Sequence, residues 1–346
     1  MKLSIVVPVY NVERYVAECL DSLLEQGLSD SDYEILCVDD GSTDRSGGIA
    51  EDYARRYRQV AVIHQGNRGL SAARNTGIRA AAGEYVYFID SDDLLERGVL
   101  GLLYQLADEH GLDQLLFDYQ RFEDGQAVAC SGQGVSPDRL VLFQDPLEMR
   151  RHRAVPAWRT AWNYLIRRSV LLEYGLTFPE GVLFEDEEFN YWLDRCAASC
   201  GYLDQRLYYY RQRADSILRT FMSSKVFPQY IGGRLKLAAR HQAVLRGFRA
   251  GTPPRLRAAV TEGQLENRVI DEVQGILNFL LYKGEREMLR RTVDALRAQG
   301  LYPYPMRWRR LVRRGPLKKR AIDAVSFCYP VGWYLQLFIA VRTRLP

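Results

Sequence analysis

The chain reads as an α/β protein, a doubly wound domain with a Rossmann-like, mainly parallel central sheet, followed by an α-helical C-terminal region. Three observations carry that reading. Short Val- and Ile-rich runs alternate with amphipathic stretches over roughly the first hundred residues. Polar and acidic clusters close those runs, and beyond Lys225 the apolar periodicity is helical. A length of 346 residues fits two domains with an appendage, expected at 1–222, 223–302 and a basic, aromatic tail at 303–346.

Leu3 to Val9, Glu34 to Val38, Val60 to His64 and Tyr85 to Ile89 have the continuous apolar character of strands buried in a parallel sheet. Between them, Val12 to Glu25 carries Val16, Cys19, Leu20, Leu23 and Leu24 on one helical face. Thr43 to Tyr57 and Leu70 to Ala81 are the next two helices. The β-α alternation predicts right-handed crossovers. After Asp93 a helix is expected over Leu94 to His110, a strand over Gln114 to Phe122 and a Gly/Ser-bearing loop over Asp124 to Pro137. Ala161 to Tyr174 reads as helical, and Phe178 to Gly181 as a turn. Glu185 to Glu188 opens a helix running to Ala198, where acids suit the positive end of the dipole. Gly201 to Arg211 is an aromatic strand, and Lys225 to Gln299 is helical with a break at Gly251-Thr252-Pro253-Pro254.

With 47% apolar and 26% charged residues, the composition excludes disordered and fibrous chains. Six cysteines without a CxxC pair read as free thiols in a reducing compartment. Cys196 and Cys200 have helical spacing, but no histidines stand near enough in sequence to complete a zinc site. The N-terminal MKLSIVVPVYN lacks the features of a signal peptide, so a buried strand in a protein that is not secreted is expected. The formal charge of +4 is unevenly spread. Residues 303–346 hold ten cations against Asp323, which leaves about −5 for the rest.

Ligands of open α/β sheets bind beyond the carboxyl ends of the strands. Those ends carry Pro8-Val9-Tyr10-Asn11, Asp39-Asp40-Gly41-Ser42, Gln65-Gly66-Asn67 and Asp90-Ser91-Asp92-Asp93. Asp90 and Asp92, two places apart after a strand, form a hard-oxygen pair suited to Mg²⁺ or Mn²⁺ clamping a diphosphate. The alternative is an Asx-turn with Asp93 as N-cap of the helix at Leu94. Haloacid-dehalogenase phosphatases also place DxD after a strand, but they want Thr or Val where Leu94 follows Asp93. Gly41 to Asp44 suits a tight turn and N-cap, leaving Asp39 free to accept from a base N–H such as that of uracil. Arg74, inside the small-residue stretch Ser71 to Gly77, has the guanidinium that phosphate oxygens favour.

VVPVYN, VDDGSTD, NRGLSAARNTG, YFIDSDD and FEDEEF, in this order and at these separations, resemble a family 2 inverting glycosyltransferase with the GT-A fold, of the bacterial polysaccharide-assembly type. The similarity covers roughly residues 1–216. It implies a hexosyl donor on a nucleotide diphosphate, usually a UDP-sugar, with Pro8, Val9 and Tyr10 lining the nucleoside and Asp39 on uracil. It further implies that Asn67, Arg74 and Ser91 help hold nucleotide and phosphates. Asp90 and Asp92 form the DxD motif, Asp92 being the foremost ligand for Mn²⁺ or Mg²⁺. Asp186 is the implied base, with Glu185 on the acceptor side. Tyr210 to Ile217 is similar to a segment that closes over the donor diphosphate. Arg213 stands where relatives often carry His, so a phosphate-facing cation is expected there, together with Arg211.

Displacement at an anomeric carbon needs a base for the acceptor hydroxyl and countercharge for the departing UDP. Crowding by Glu185, Glu187 and Glu188 is expected to raise the proton affinity of Asp186. The competing readings are a helix N-terminus merely decorated with acids, a non-catalytic sugar-nucleotide-binding or scaffold subunit, and a phosphatase with Asp90 as nucleophile. The tail, with its Arg/Lys clusters followed by Phe327, Tyr329, Trp333, Tyr334 and Phe338, suits an anionic membrane surface. Packing of the tail on the acidic body is the alternative. Nucleic acid is not expected as a partner, and a homo-oligomer stays open. Ala324 to Val341 holds Pro330 and Gly332, which argue against a spanning helix. A cytoplasmic enzyme, peripheral on the cytoplasmic face, would meet a glycan or polyprenyl-diphosphate-linked glycan acceptor.

Overall fold

In a computed structural model, residues 1–24, 26–128, 134–152, 160–213, 226–251, 260–283 and 285–302 are described. The basic tail, the segment Ala324 to Val341 and the break at 252–254 therefore lie outside the described residues. The chain divides into two compact units, one spanning Met1–Met222 and the other beginning at Ser223.

The first unit is an α/β domain built on β1 (Leu3–Val9), β2 (Tyr33–Asp39), β3 (Val60–His64), β4 (Tyr85–Phe88), β5 (Leu94–Leu95), β6 (Gln114–Glu123), β7 (Leu140–Phe143), β8 (Tyr164–Arg167) and β9 (Cys200–Gln212). The sheet order is β3-β2-β1-β4-β8-β6-β9-β5, with β7 also paired to β9. Pairing is parallel across β3-β2-β1-β4 and between β6 and β9, whereas β8, β5 and β7 run antiparallel to their neighbours. β1 is buried along its whole length between β2 and β4, as its Ile/Val run requires.

Pro8 is tolerated in this central strand because β1 pairs with β4 only as far as Val6. The missing N–H of Pro8 falls on the side where β4 has already turned away, so no ladder bond is lost and the two strand ends part. β3 corrects the expectation of burial: it is the sheet's edge, and Ala61 and His64 are exposed.

The helices of this unit are α1 (Val16–Leu24), α2 (Ser46–Arg56), α3 (Leu70–Ala80), α4 (Leu100–Glu109), α5 (Pro146–His152), α6 (Arg168–Glu173) and α7 (Glu185–Cys196). α1 starts four residues later than its periodicity suggests. Asn11 adopts a left-handed φ of 51°, and the N–H groups of Val12 and Glu13 are taken by Ser46 Oγ (2.8 Å) and an Asp44 carboxylate oxygen (3.1 Å).

The helix expected over Leu94 to His110 is split. Leu94–Leu95 is drawn into pairing with β9, Gly98 breaks the chain at positive φ (70°), and only then does α4 begin. The helix expected over Ala161 to Tyr174 is likewise β8 followed by α6. Tyr164-Leu165-Ile166 is a fully buried aromatic and aliphatic run that β4 and β6 claim from either side, so tertiary pairing overrides local periodicity. Cys196 closes α7 and Cys200 opens β9, so their spacing is not helical; both are free, buried thiols.

The second unit contains α8 (Val226–Arg249), α9 (Glu262–Lys283) and α10 (Arg286–Ala298), with α9 packed against both of the others. Its apolar faces meet through Leu237, Leu245, Val269, Val273, Ile276, Leu289 and Val293. Buried Glu272 is held by Arg234 (2.8 Å) and Arg268 (3.3 Å). Among the described residues no helix is long and apolar enough to cross a membrane.

Candidate active site

The candidate site gathers where β1, β2 and β4 end. At the mouth of β1, Val9 is fully buried and Pro8 is buried beside it, while Tyr10 is 45% exposed, so Tyr10 is the side chain of the three that faces outward. Asp39, the last residue of β2, is not free as expected. Its Oδ1 accepts the Ser42 N–H (3.0 Å) and its Oδ2 meets His64 Nδ1 at 2.8 Å. Burial opposes its ionisation, but the bonds from Ser42 and His64 outweigh burial and hold the carboxyl below its usual range.

The neighbouring Asp40 shapes the loop that follows β3. It accepts Gln65 Nε2 (2.7 Å), the Arg68 N–H (2.9 Å) and the Gly69 N–H (2.7 Å). Gly41 lies against this loop at φ 74°, and a Cβ there would come within 2.9 Å of the Asn67 backbone nitrogen. The loop so fixed leaves Asn67 exposed at the strand ends.

The acidic turn after β4 is interleaved with arginines. Asp90 Oδ1 accepts Arg74 Nη2 at 2.6 Å, and Asp92 Oδ2 lies 2.7 Å from Arg213 Nε. Ser91 between them is buried. Asp93 is no helix cap. Fully buried, it accepts the Tyr208 hydroxyl (2.5 Å) and the Arg211 N–H (2.7 Å), which ties this turn to β9. Burial, together with Asp92 and Asp90, drives the Asp93 proton affinity well up.

Arg211 is committed inward. It donates to the Asp92 carbonyl (2.7 Å) and to Glu18 (2.6 Å), and its guanidinium lies over Tyr15 and Phe122. Arg213 is less enclosed and also lies over Tyr15. Asp92 is pushed up by burial, partly offset by Arg213.

Helix α3 fastens the approach to α7. Ser71 Oγ donates to the Pro179 carbonyl (2.8 Å), and Asn75 both donates to the Phe178 carbonyl (2.9 Å) and accepts the Phe178 N–H (2.8 Å). Arg74, with 3% of its side chain exposed, bridges Asp90 to Glu185 and lies over the Phe178 ring. Its charge is held more firmly than usual: burial works against it, but Asp90, Glu185 and Asp186 prevail.

α7 then starts one residue after Phe184, whose left-handed φ of 60° is a strained setting for an aromatic residue. Asp186, half-buried in the first turn, has its proton affinity raised well above the carboxylate range. Burial is the leading cause, followed by Glu185, with Arg74 opposing and Asp90 and Glu187 adding. The expected like-charge crowding is thus present but secondary. Glu188 is turned away, accepting Trp192 Nε1 at 2.6 Å.

The structure therefore brings Arg74, Asp90, Glu185 and Asp186 into one electrostatic group, and Asp92, Arg211 and Arg213 into an adjoining one. Asp39 stands apart with His64, tied to the Asp40 loop through its own strand end. Sequence reasoning missed His64, Asp40, Asp93, Tyr208, Tyr15 and Glu18. A signal existed for the first three, which lie within or beside the quoted strand-end clusters. Tyr208 and Glu18 are placed only by pairing of distant segments.

The sheet order and flanking helices define a GT-A-type fold. The chain matches Glycosyl transferase family 2 over residues 4–174. It is 40% identical to the uncharacterized glycosyltransferase EpsJ of Bacillus subtilis over 230 residues, 62% of each chain. It is 31% identical to the glycosyltransferase GlyG of Streptococcus pneumoniae over 227 residues, 63% of this chain and 73% of that protein. The crystal structure of Staphylococcus aureus TarS 1–349 in complex with UDP-GlcNAc has the same fold, with a TM-score of 0.68 at 23% identity over 99% of this chain and 92% of that one. The chain belongs to glycosyltransferase family 2. It spans less than two thirds of the length of EpsJ, 62%.

Proposed function

We propose that this glycosyltransferase is inverting and moves a hexose from a UDP-sugar to a hydroxyl of a glycan, or of a glycan carried on a polyprenyl diphosphate. The observation that carries the reading is the Arg74 bridge, which joins the acidic turn at Asp90 to Glu185, the neighbour of a carboxyl with raised proton affinity. Donor-side and acceptor-side chemistry then share one crevice. The UDP-GlcNAc bound by the TarS relative supports the choice of donor class.

In this reading Tyr10, Asp39 and Asn67 receive the nucleoside, with Pro8 and Val9 forming the floor beneath it. Asp186 accepts the acceptor hydroxyl's proton as the new C–O bond forms on one face of the anomeric carbon. The bond to the diphosphate breaks on the other face. Glu185 orients the acceptor. Arg213 exchanges Asp92 for the leaving phosphates, while Arg211 and Ser91 keep the acidic turn in place.

Asp90 and Asp92 suit a divalent cation, Mn²⁺ or Mg²⁺, because such ions are commonly held by one or two carboxylates with substrate phosphates and water completing the shell. Asp92 and Asp90 would hold the ion, which supplies Lewis-acid countercharge to the diphosphate. The 1–222 unit carries this chemistry, with 223–302 as a separate helical domain. The 303–346 segment would rest on the anionic cytoplasmic face of a membrane.

A thermal-shift screen of UDP- and GDP-sugars with Mn²⁺ tests the donor, since a bound ligand stabilises in proportion to its affinity. UDP-sugars are expected to raise Tm, and a response to GDP-sugars alone overturns the choice. Proton NMR of the product from an α-linked donor is expected to show a β-linkage; an α-linkage overturns inversion.

A further inference from the structure

Half of the His64 side chain is exposed, yet both ring nitrogens are engaged: Nδ1 lies 2.8 Å from Asp39 Oδ2 and Nε2 lies 2.8 Å from Glu51 Oε1. The three groups come from three elements, β2, β3 and α2. Space for this arrangement is made by Gly47 in the first turn of α2, where a Cβ would stand 2.7 Å from Asp39 Oδ2 and 3.7 Å from His64 Cε1. The second carboxylate oxygen of Asp39 is steadied by the Ser42 N–H, so the plane of the carboxylate is set from both sides.

We propose that His64 is a positioning residue for nucleotide binding, a protonated clasp between Glu51 and Asp39 that fixes the base-reading carboxylate and makes donor affinity dependent on pH. The proposal rests on Asp39 receiving the nucleoside base. The chemistry follows from the ring. As imidazolium it donates from both nitrogens and satisfies both carboxylates. As neutral imidazole it has one N–H, so one carboxylate is left facing a lone pair.

The titratable groups that face the ring are Asp39 from β2 and Glu51 from α2, and both favour the charged form. Accordingly the His64 pKa is raised, chiefly by the bond to Glu51 and next by that to Asp39, against the pull of burial. Below that raised value the clasp is closed. As pH rises through it, the clasp loses one of its two bonds, Asp39 is held less firmly with only the Ser42 N–H assured, and nucleotide affinity falls.

The test is calorimetric titration of UDP into the full chain from about pH 5.5 to 9, comparing wild type with His64→Gln, Glu51→Gln and Asp39→Asn. UDP's own phosphate titration is common to all four and cancels in the comparison. The ratio of wild-type to His64→Gln affinity is expected to be about two- to fivefold at the acid end and to fall towards one at the alkaline end. Glu51→Gln is expected to move the midpoint of that decline to lower pH. Asp39→Asn is expected to weaken UDP throughout. Parallel profiles for wild type and His64→Gln, with Asp39→Asn still weakened, overturn the role of His64 alone. An Asp39→Asn protein with undiminished UDP affinity overturns the base-reading assignment itself, and the clasp with it.

Discussion

Arg74 lies between Asp90 and Glu185 with 3% of its side chain exposed, and its charge also acts on Asp186. Burial and the neighbouring acids raise the Asp186 proton affinity, and Arg74 is what restrains the rise. In the proposed role Asp186 must be ionised to act as base, so transfer is expected to increase as pH rises through its raised pKa. Arg74→Gln removes the restraint and is expected to move the acid limb of the kcat profile to higher pH. A pH–rate series checks it, and an unmoved or lowered limb contradicts the assignment. At this scale the residue types of the candidate site were legible, as acidic pairs closing successive strands. Their pairings were not: Arg74 and Glu185 are 111 positions apart, and nothing local announces that they meet.

Elements decide where these residues stand. α3 holds the entry to α7 through Ser71 and both bonds of Asn75 to Phe178. Asn75→Ala leaves two buried backbone groups unpaired, costing about 2–3 kcal/mol, or a fall in Tm of roughly 5 °C. Hydrogen exchange is expected to quicken over Phe178 to Asp186 while β1 and β4 stay protected; uniform exchange across the domain contradicts a local clamp. The parallel half of the sheet could be read from the sequence because each of its core strands is a Val/Ile-rich run bounded by turn residues. β5 and β8 could not. Leu94–Leu95 and Tyr164–Arg167 are two and four residues long and owe their extended form to β9, β4 and β6 rather than to their own pattern. The same pull of β9 turns Asp93 from an expected cap into a buried anchor.

For the molecule as a whole, charge separates what the net value conceals. The body is close to −5 and residues 303–346 are strongly cationic, each cation near an anionic surface contributing about 1 kcal/mol. Truncation after Leu301 is expected to move the protein from the membrane pellet to the supernatant on fractionation, and an unchanged distribution contradicts a membrane role for the tail. The division into an α/β unit and a helical unit follows from the change of apolar period near residue 225. What the helical unit does is less legible, because its helices show packing faces and a buried Arg–Glu–Arg group but no strand-end chemistry.

In the proposed mechanism Asp186 takes the acceptor proton while the other strand-end residues hold the donor. Asp186→Asn keeps the size of the side chain and removes its basicity. With a donor and acceptor pair in hand, transfer and UDP affinity are measured on the same preparation. Transfer is expected to fall at least about a hundredfold with the UDP Kd unchanged. Transfer at the wild-type rate, or loss of UDP binding together with transfer, contradicts the account.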